Sequence, residues 1–253
     1  MSDTTSTPAL SLRGIDKAYG AVQALSEVNF TIYPREVVAI VGDNAAGKST
    51  LAKIIAGVIT PDAGIIESEG IPVTIPTPAS AHALGIATVF QELALCDNLD
   101  VVSNLFLGRE LRRGRYMDEA AMEEIARKIL RDLTSRIPSV RTLLSSLSGG
   151  QRQSVAIART LLGNPRIVVL DEPTASLSVS QTAEVLTHIE RMRDLGHAVV
   201  LISHNMSDVR AVADRIEVLR HGRNNGSFPG YSTSYEEIIA AITGAADFST
   251  QTR

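Results

Sequence analysis

The 253-residue chain predicts an α/β domain with a smaller helical lobe inserted into it, and three observations carry that expectation. The apolar runs Val37–Val41, 167–170 and 198–203 are too short for helices and have the length of buried parallel strands. Segments with helical apolar spacing alternate with them, as in α/β folds. Between about residues 98 and 162 the helical spacing takes over entirely, which marks the lobe.

Taken in order, residues 1–8 are polar and read as a solvated tail. Runs 10–15, 28–32 and Val37–Val41 are strands separated by Gly, Asn and Pro, with Tyr19 on the first connection. Residues 51–58 form a helix, Thr60-Pro61-Asp62-Ala63-Gly64 a turn, and 65–75 a segment with strand-like alternation. A short helix over 78–84 precedes a buried strand, 86–90, that ends at Gln91. In the lobe, Met122, Ile125, Ala126, Ile129, Leu130 and Leu133 share one helical face, with Asp118 placed to cap it. The cluster Arg109, Arg112, Arg113 and Arg115 reads as a solvated turn. Strand 167–170 ends in Asp171-Glu172-Pro173; helix 182–195, strand 198–203 ending at His204, helix 207–213 and strand 216–219 follow. A closing helix over 234–244 carries Glu236 and Glu237 near its positive end.

Composition narrows the function classes. A formal charge of −4 gives no basic stripe for nucleic acid. Cys96 is alone, so neither a disulfide framework nor a cysteine zinc cluster is expected, in keeping with a reducing compartment. The start MSDTTSTPAL lacks the basic and apolar regions of a signal peptide, and no run of about 18 apolar residues offers a membrane span.

Gly42-Asp43-Asn44-Ala45-Ala46-Gly47-Lys48-Ser49-Thr50 follows a predicted strand and opens a helix. Glycine, four residues, then Gly-Lys-Ser is the phosphate-binding loop pattern. Glycines let the backbone curl with its N–H groups inward, and the helix N-terminus adds partial positive charge. Lys48 is expected on the outer phosphates, the Ser49 hydroxyl on Mg²⁺, and Thr50 as a further hydroxyl or amide contact. Asp171, at a strand end, suits the second acidic element that holds Mg²⁺, and Glu172 can polarise a water for in-line attack on a γ-phosphate. Ser148-Gly149-Gly150-Gln151 starts another helix and offers a second anion-binding N-terminus. One site needs only one such device from one subunit; two sites shared between two subunits need both.

With these motifs in this order, the sequence resembles the ATP-binding cassette family. Gly42 to Thr50 looks like its Walker A motif, Gln91 like the Q-loop glutamine, and Leu147-Ser-Gly-Gly-Gln151 is identical to the family signature. Residues 167–172 look like Walker B with the catalytic glutamate, 175–178 like the D-loop, and His204 like the switch histidine; Tyr19 falls where the family stacks an aromatic on adenine. The resemblance runs from about residue 10 to 244. It implies a phosphate-loop NTPase core with a mostly parallel sheet, an N-terminal antiparallel β subdomain and an inserted α-helical subdomain. Residues 9–91 and 163–244 form the core with its β subdomain, 92–162 the helical subdomain, and 245–253 a tail. It further implies two copies of the chain sandwiching two ATP molecules, each held by Lys48 and Ser49 of one copy and Ser148 and Gly150 of the other. Gln91 would contact Mg²⁺ and report to the helical subdomain.

The passages GDNAAGKSTLAKIIAGV and GIATVFQELALCDNLDVVSNLFLGRE look like cassettes of bacterial monosaccharide importers of the ribose, xylose and fructose type. That resemblance implies a peripheral subunit on the cytoplasmic face of the inner membrane, a permease partner and, indirectly, a periplasmic sugar-binding protein. Two other readings stand beside it: a soluble cassette of the iron–sulfur assembly kind, and an exporter cassette. Three positions depart from the family pattern. Ala45 stands where glycine is common, with binding expected to survive at a negative φ; Ser178 replaces a D-loop aspartate; Arg35 occupies a turn position often held by glycine.

Overall fold

The computed structural model describes residues 7–246, so most of the two expected tails, 1–6 and 247–253, lies outside the described residues. Strand β1 (Leu10–Tyr19) pairs antiparallel with β2 (Val22–Ile32), and β4 (Ala63–Ser68) and β5 (Ile71–Val73) complete a four-stranded antiparallel sheet in the order β2-β1-β4-β5. Two expectations change here. Tyr19 ends a strand rather than lying on a connection, and the segment 65–75 is two strands. Glu69 and Gly70 both have positive φ, the turn geometry that matches the twist of a hairpin.

The second sheet has the order β12-β11-β3-β10-β9-β6. Its strands are β3 (Val37–Val41), β6 (Ile86–Val89), β9 (Ile167–Asp171), β10 (Ala198–Ile202), β11 (Arg215–Arg220) and β12 (Arg223–Pro229). β11, β3, β10, β9 and β6 run parallel, and β12 returns antiparallel at the edge. β12 reads Arg-Asn-Asn-Gly-Ser-Phe-Pro, too polar for the apolar-run criterion, and it escapes the sequence reading for that reason.

Alternation along the central strands feeds three cores, because successive side chains leave opposite faces. Val38, Ile40, Val169 and Val200 face the antiparallel sheet, with helix α1 (Lys48–Ile55) packed between through Leu51, Ile54 and Ile55. Val37, Val168, Leu170, Val199 and Leu201 face α3 (Val101–Phe106), α4 (Glu119–Asp132), α5 (Gly149–Leu161) and α6 (Val179–Asp194). Ala39, Val41, Ile216 and Val218 meet α7 (Met206–Val212) and α8 (Tyr235–Thr243). α2 (Pro78–Ala83) is capped by Thr77, whose hydroxyl accepts from the Ser80 amide. Asp118 caps α4 by accepting from the Ala121 amide at 3.2 Å, at the position the sequence marks. The arginine cluster lies on and beside an exposed hairpin of β7 (Arg112–Arg113) and β8 (Tyr116–Met117). α6 starts three residues before the apolar spacing predicts, because Ser178 occupies its N-cap and the Gln181 side chain accepts the Ser178 amide.

The parallel strands β3, β9 and β10 end on the same side, so the residues at and just beyond their C-terminal ends converge. Those residues are Gly42 to Thr50, Asp171 with Glu172, and His204.

Candidate active site

Residues 42–47 link β3 to α1 in a tight curl that only certain backbones can follow. At Gly42, φ is +154° and a Cβ would lie 2.2 Å from the Leu219 carbonyl oxygen; at Gly47, φ is +104° and a Cβ would strike the Leu25 side chain and the Ala24 carbonyl. Both glycines are required by contact as well as by dihedral angle. The turn after β11 props the loop from behind, with the Gly222 amide donating to the Ala46 carbonyl at 3.1 Å.

Ala45 corrects an expectation. Its φ is +63°, not negative. An L-residue in the left-handed region brings Cβ against its own carbonyl and costs roughly 1–2 kcal/mol. The loop holds Ala45 in the conformation a glycine would adopt freely. Arg35, another departure from the pattern, likewise has φ +64°.

Lys48 is nearly buried, and its ammonium donates to the Gly42 and Asp43 carbonyls at 2.7 and 2.9 Å. Burial pulls its pKa below the ordinary lysine value, opposed by the carboxylates of Glu172, Asp43 and Asp171. Asp171 ends β9 half-buried, and its carboxyl is pushed up, first by desolvation and then by the adjacent Glu172, against Lys53 and Lys48. Such a carboxylate favours any nearby cation. The Ser49 hydroxyl and the Asp171 carboxyl are each hard oxygen donors of the kind Mg²⁺ takes when a nucleotide supplies other ligands.

Glu172 adopts φ +51°, in the left-handed region like Ala45. Its amide donates to the Ile202 carbonyl at 2.9 Å, tying the end of β9 to the end of β10. His204, just past β10, meets the Glu172 carboxylate, Nδ1 to Oε2, at 2.8 Å. The carboxylate can only accept, so Nδ1 carries the proton and Nε2 remains the other polar atom of the ring.

Tyr19, Asn44, Ala45, Ala46, Gly47, Lys48, Ser49, Thr50, Gln91, Glu172 and His204 line one open cleft of about 480 Å³. Gly42, Asp43 and Asp171 are not among the lining residues of this cleft. The ring of Tyr19 is about half exposed at the rim, with the Lys17 ammonium 6.0 Å from its centroid. The cleft also takes in Val22, Gln23, Ala24 and Ala175. The sequence reading misses the first three because β2 starts six residues before its apolar run and its first residues are exposed.

Ser148, Gly149, Gly150 and Gln151 are not part of this cleft. Ser148 caps α5 in a capping box: its hydroxyl accepts from the Gln151 amide at 3.3 Å, and the Gln151 side chain accepts from the Ser148 amide at 3.0 Å. Gly150 packs directly on α6, where a Cβ would lie 2.8 Å from Cβ and Cγ of Gln181. Within one chain, the helix start at Ser148 therefore contributes nothing to the lining of the cleft that Lys48 and Ser49 line.

Residues 25–175 match the family described as ABC transporter. The chain is 43% identical to a fructose import ATP-binding protein of Rhizobium meliloti, with 95% of each chain covered. It is 41% identical to a xylose/arabinose import ATP-binding protein of Sulfolobus acidocaldarius, with 94% of each covered. Against a ribose import ATP-binding protein of Escherichia coli O157:H7 it is 40% identical but spans only 47% of the relative. Among solved structures, the ADP conformation of an ATP-binding cassette of an ABC transporter superposes with a TM-score of 0.80 at 27% identity, over 93% of this chain and 95% of that one. A dimeric ATP-binding cassette bound to ADP and Pi superposes with a TM-score of 0.74 at 26% identity, over 88% and 100%.

Proposed function

Because the chain belongs to the ABC transporter family and is a transport-coupled ATPase, we propose that it energises import of a monosaccharide through a membrane permease. Sugar-import names among relatives aligned over nearly the whole chain support the direction and the cargo class. The observation that carries the catalytic assignment is the meeting of Lys48, Glu172 and His204 around one cleft, with Glu172 and His204 in direct contact.

In this reading the inward amides of residues 42–50 and the Lys48 ammonium hold the β- and γ-phosphates, and Tyr19 stacks on the base. Ser49 and Asp171, with Gln91, would hold Mg²⁺, which when bound neutralises phosphate charge. Glu172 orients the attacking water and draws its proton. His204 keeps the Glu172 carboxylate in place through Nδ1 and offers Nε2 to the γ-phosphate. Ser148, Gly149, Gly150 and Gln151 complete the site of a second copy of the chain, so closure of a two-cassette dimer is what assembles the full set of phosphate contacts. A neighbouring dimeric cassette of the same fold supports that arrangement. The permease would seat on the helical subdomain at the cytoplasmic face of the membrane, with a periplasmic sugar-binding protein engaging the permease from the other side. No helix among the described residues is long and apolar enough to cross a membrane.

The test is ATP hydrolysis by the assembled transporter. Glu172→Gln keeps the shape but removes the base, and turnover is expected to fall by a factor on the order of 10²–10⁴ with ATP binding retained. Full turnover in that variant would remove Glu172 from the role.

A further inference from the structure

The contact between Glu172 and His204 depends on two strand ends keeping a fixed separation, and two features make that separation hard to keep. Glu172 itself sits in the left-handed region, and four residues later Ser176 does so again, with φ +63°. Strained backbone of this kind persists only where its surroundings over-determine it. The second feature is His204, which is 71% exposed in its side chain and so has little packing of its own to hold the ring.

Below the pair lies a link that nothing in the catalytic reading uses. The Thr174 hydroxyl, two residues beyond Glu172, donates to Asp208 Oδ2 at 2.6 Å. Asp208 is buried, at 5% exposure, in the first turn of α7, four residues beyond His204. Pro173 between Glu172 and Thr174 is buried and fixes φ, so a restraint on Thr174 is passed to Glu172 with little slack. At the other end, Met206 and Val209 anchor α7 in the core, so Asp208 is a fixed point. The two strand ends are thus joined at three levels: the backbone bond from the Glu172 amide to the Ile202 carbonyl, the Glu172–His204 contact, and the Thr174–Asp208 bond.

We infer that Thr174 and Asp208 form a positioning pair that holds the Glu172 carboxylate against His204, setting the geometry of the hydrolytic step without touching the nucleotide. The inference rests on the proposed role of Glu172. A hydroxyl is the group for this: it donates one short directional bond, and the carboxylate below accepts it without changing charge. Thr174→Val has nearly the same shape but no donor, and Thr174→Ser restores the donor. A displacement of the reacting groups by about 1 Å can cost a factor on the order of 10² in rate.

The experiment is steady-state ATP hydrolysis by the full-length chain, together with nucleotide affinity and melting temperature. Thr174→Val is expected to lower kcat by about tenfold while KM for ATP stays within twofold, and Thr174→Ser is expected to recover kcat. In a Glu172→Gln background, Thr174→Val is expected to cause no further loss, because the group it positions is gone. Wild-type kcat in Thr174→Val beside an inactive Glu172→Gln overturns this inference and leaves the role of Glu172 intact. Full turnover in Glu172→Gln overturns both. A Thr174→Val loss that is equal in the two backgrounds, or that raises KM in proportion, assigns the bond to general stability and overturns the positioning role. Asp208→Asn, which keeps an acceptor oxygen, guards against misfolding of the Val variant and is expected to retain most of kcat.

Discussion

At the scale of single residues, the phosphate loop shows how a motif tolerates a substitution and what that costs. Ala45 is held at φ +63°, where glycine is at ease and alanine is strained. Ala45→Gly is expected to raise stability by roughly 0.5–1 kcal/mol, the strain relieved less the extra chain entropy of glycine, readable as a higher melting temperature. Gly42 behaves oppositely. With a backbone oxygen 2.2 Å from where a Cβ would stand, Gly42→Ala is expected to destabilise the chain and abolish nucleotide binding together, measured by denaturation and by ATP titration. The Gly-x₄-Gly-Lys-Ser spacing is legible in the sequence because each glycine answers a local geometric demand. The sign of φ at Ala45 is not, since a small side chain fits either sign locally and only the closure of the loop between β3 and α1 selects one.

Among elements, the helical subdomain is tied to the core by His188 of α6, whose side chain is fully buried. Its Nδ1 donates to the Leu133 carbonyl at the end of α4 at 2.8 Å, and its Nε2 lies 2.8 Å from the Ser154 hydroxyl of α5. Since a carbonyl can only accept, Nδ1 of the neutral ring carries the proton, and Nε2 competes with the Gly150 carbonyl, 3.0 Å from the Ser154 oxygen, for the single hydroxyl proton of Ser154. Burial lowers the His188 pKa, opposed by the Leu133 bond and by Glu184. A histidine whose folded pKa is depressed binds fewer protons folded than unfolded, so stability rises with pH through that window. The contribution is fully present above the unfolded value near 6.5 and is lost as pH falls toward the folded one. His188→Gln, which can offer one donor and one acceptor, is expected to flatten the fall in melting temperature as pH drops below about 6.5, against a steeper fall in the wild type. Most elements were readable from apolar period. The exceptions include β12, whose residues are polar at the sheet edge, the exposed first residues of β2, the split of segment 65–75 into two strands, the β7–β8 hairpin, and the start of α6, which depends on a Ser178–Gln181 capping box rather than on periodicity.

For the whole molecule, the decisive fact is that the Ser148–Gln151 helix start lies away from the cleft that gathers Lys48, Glu172 and His204. If two copies complete each other's sites, Gly150→Ala is expected to leave ATP binding by the single chain within about twofold while hydrolysis falls at least tenfold, because the added methyl pushes α5 away from Gln181. Binding by titration and turnover by phosphate release separate the two effects, and equal losses in both would argue against a shared site. The sequence by itself determined the family, the α/β architecture and the phosphate-loop motif, because those rest on residue types at fixed spacing along one strand–loop–helix unit. Only the tertiary structure decided which of them meet. Asp171 and Glu172 lie some 120 residues from Lys48 in the chain. They arrive beside it because β9, β10 and β3 run parallel and end together, and sheet order is set by long-range pairing of strands that all look alike locally. The Thr174–Asp208 bond belongs to the same class: neither residue carries a motif signal of its own, and the register that joins them exists only once the sheet has formed.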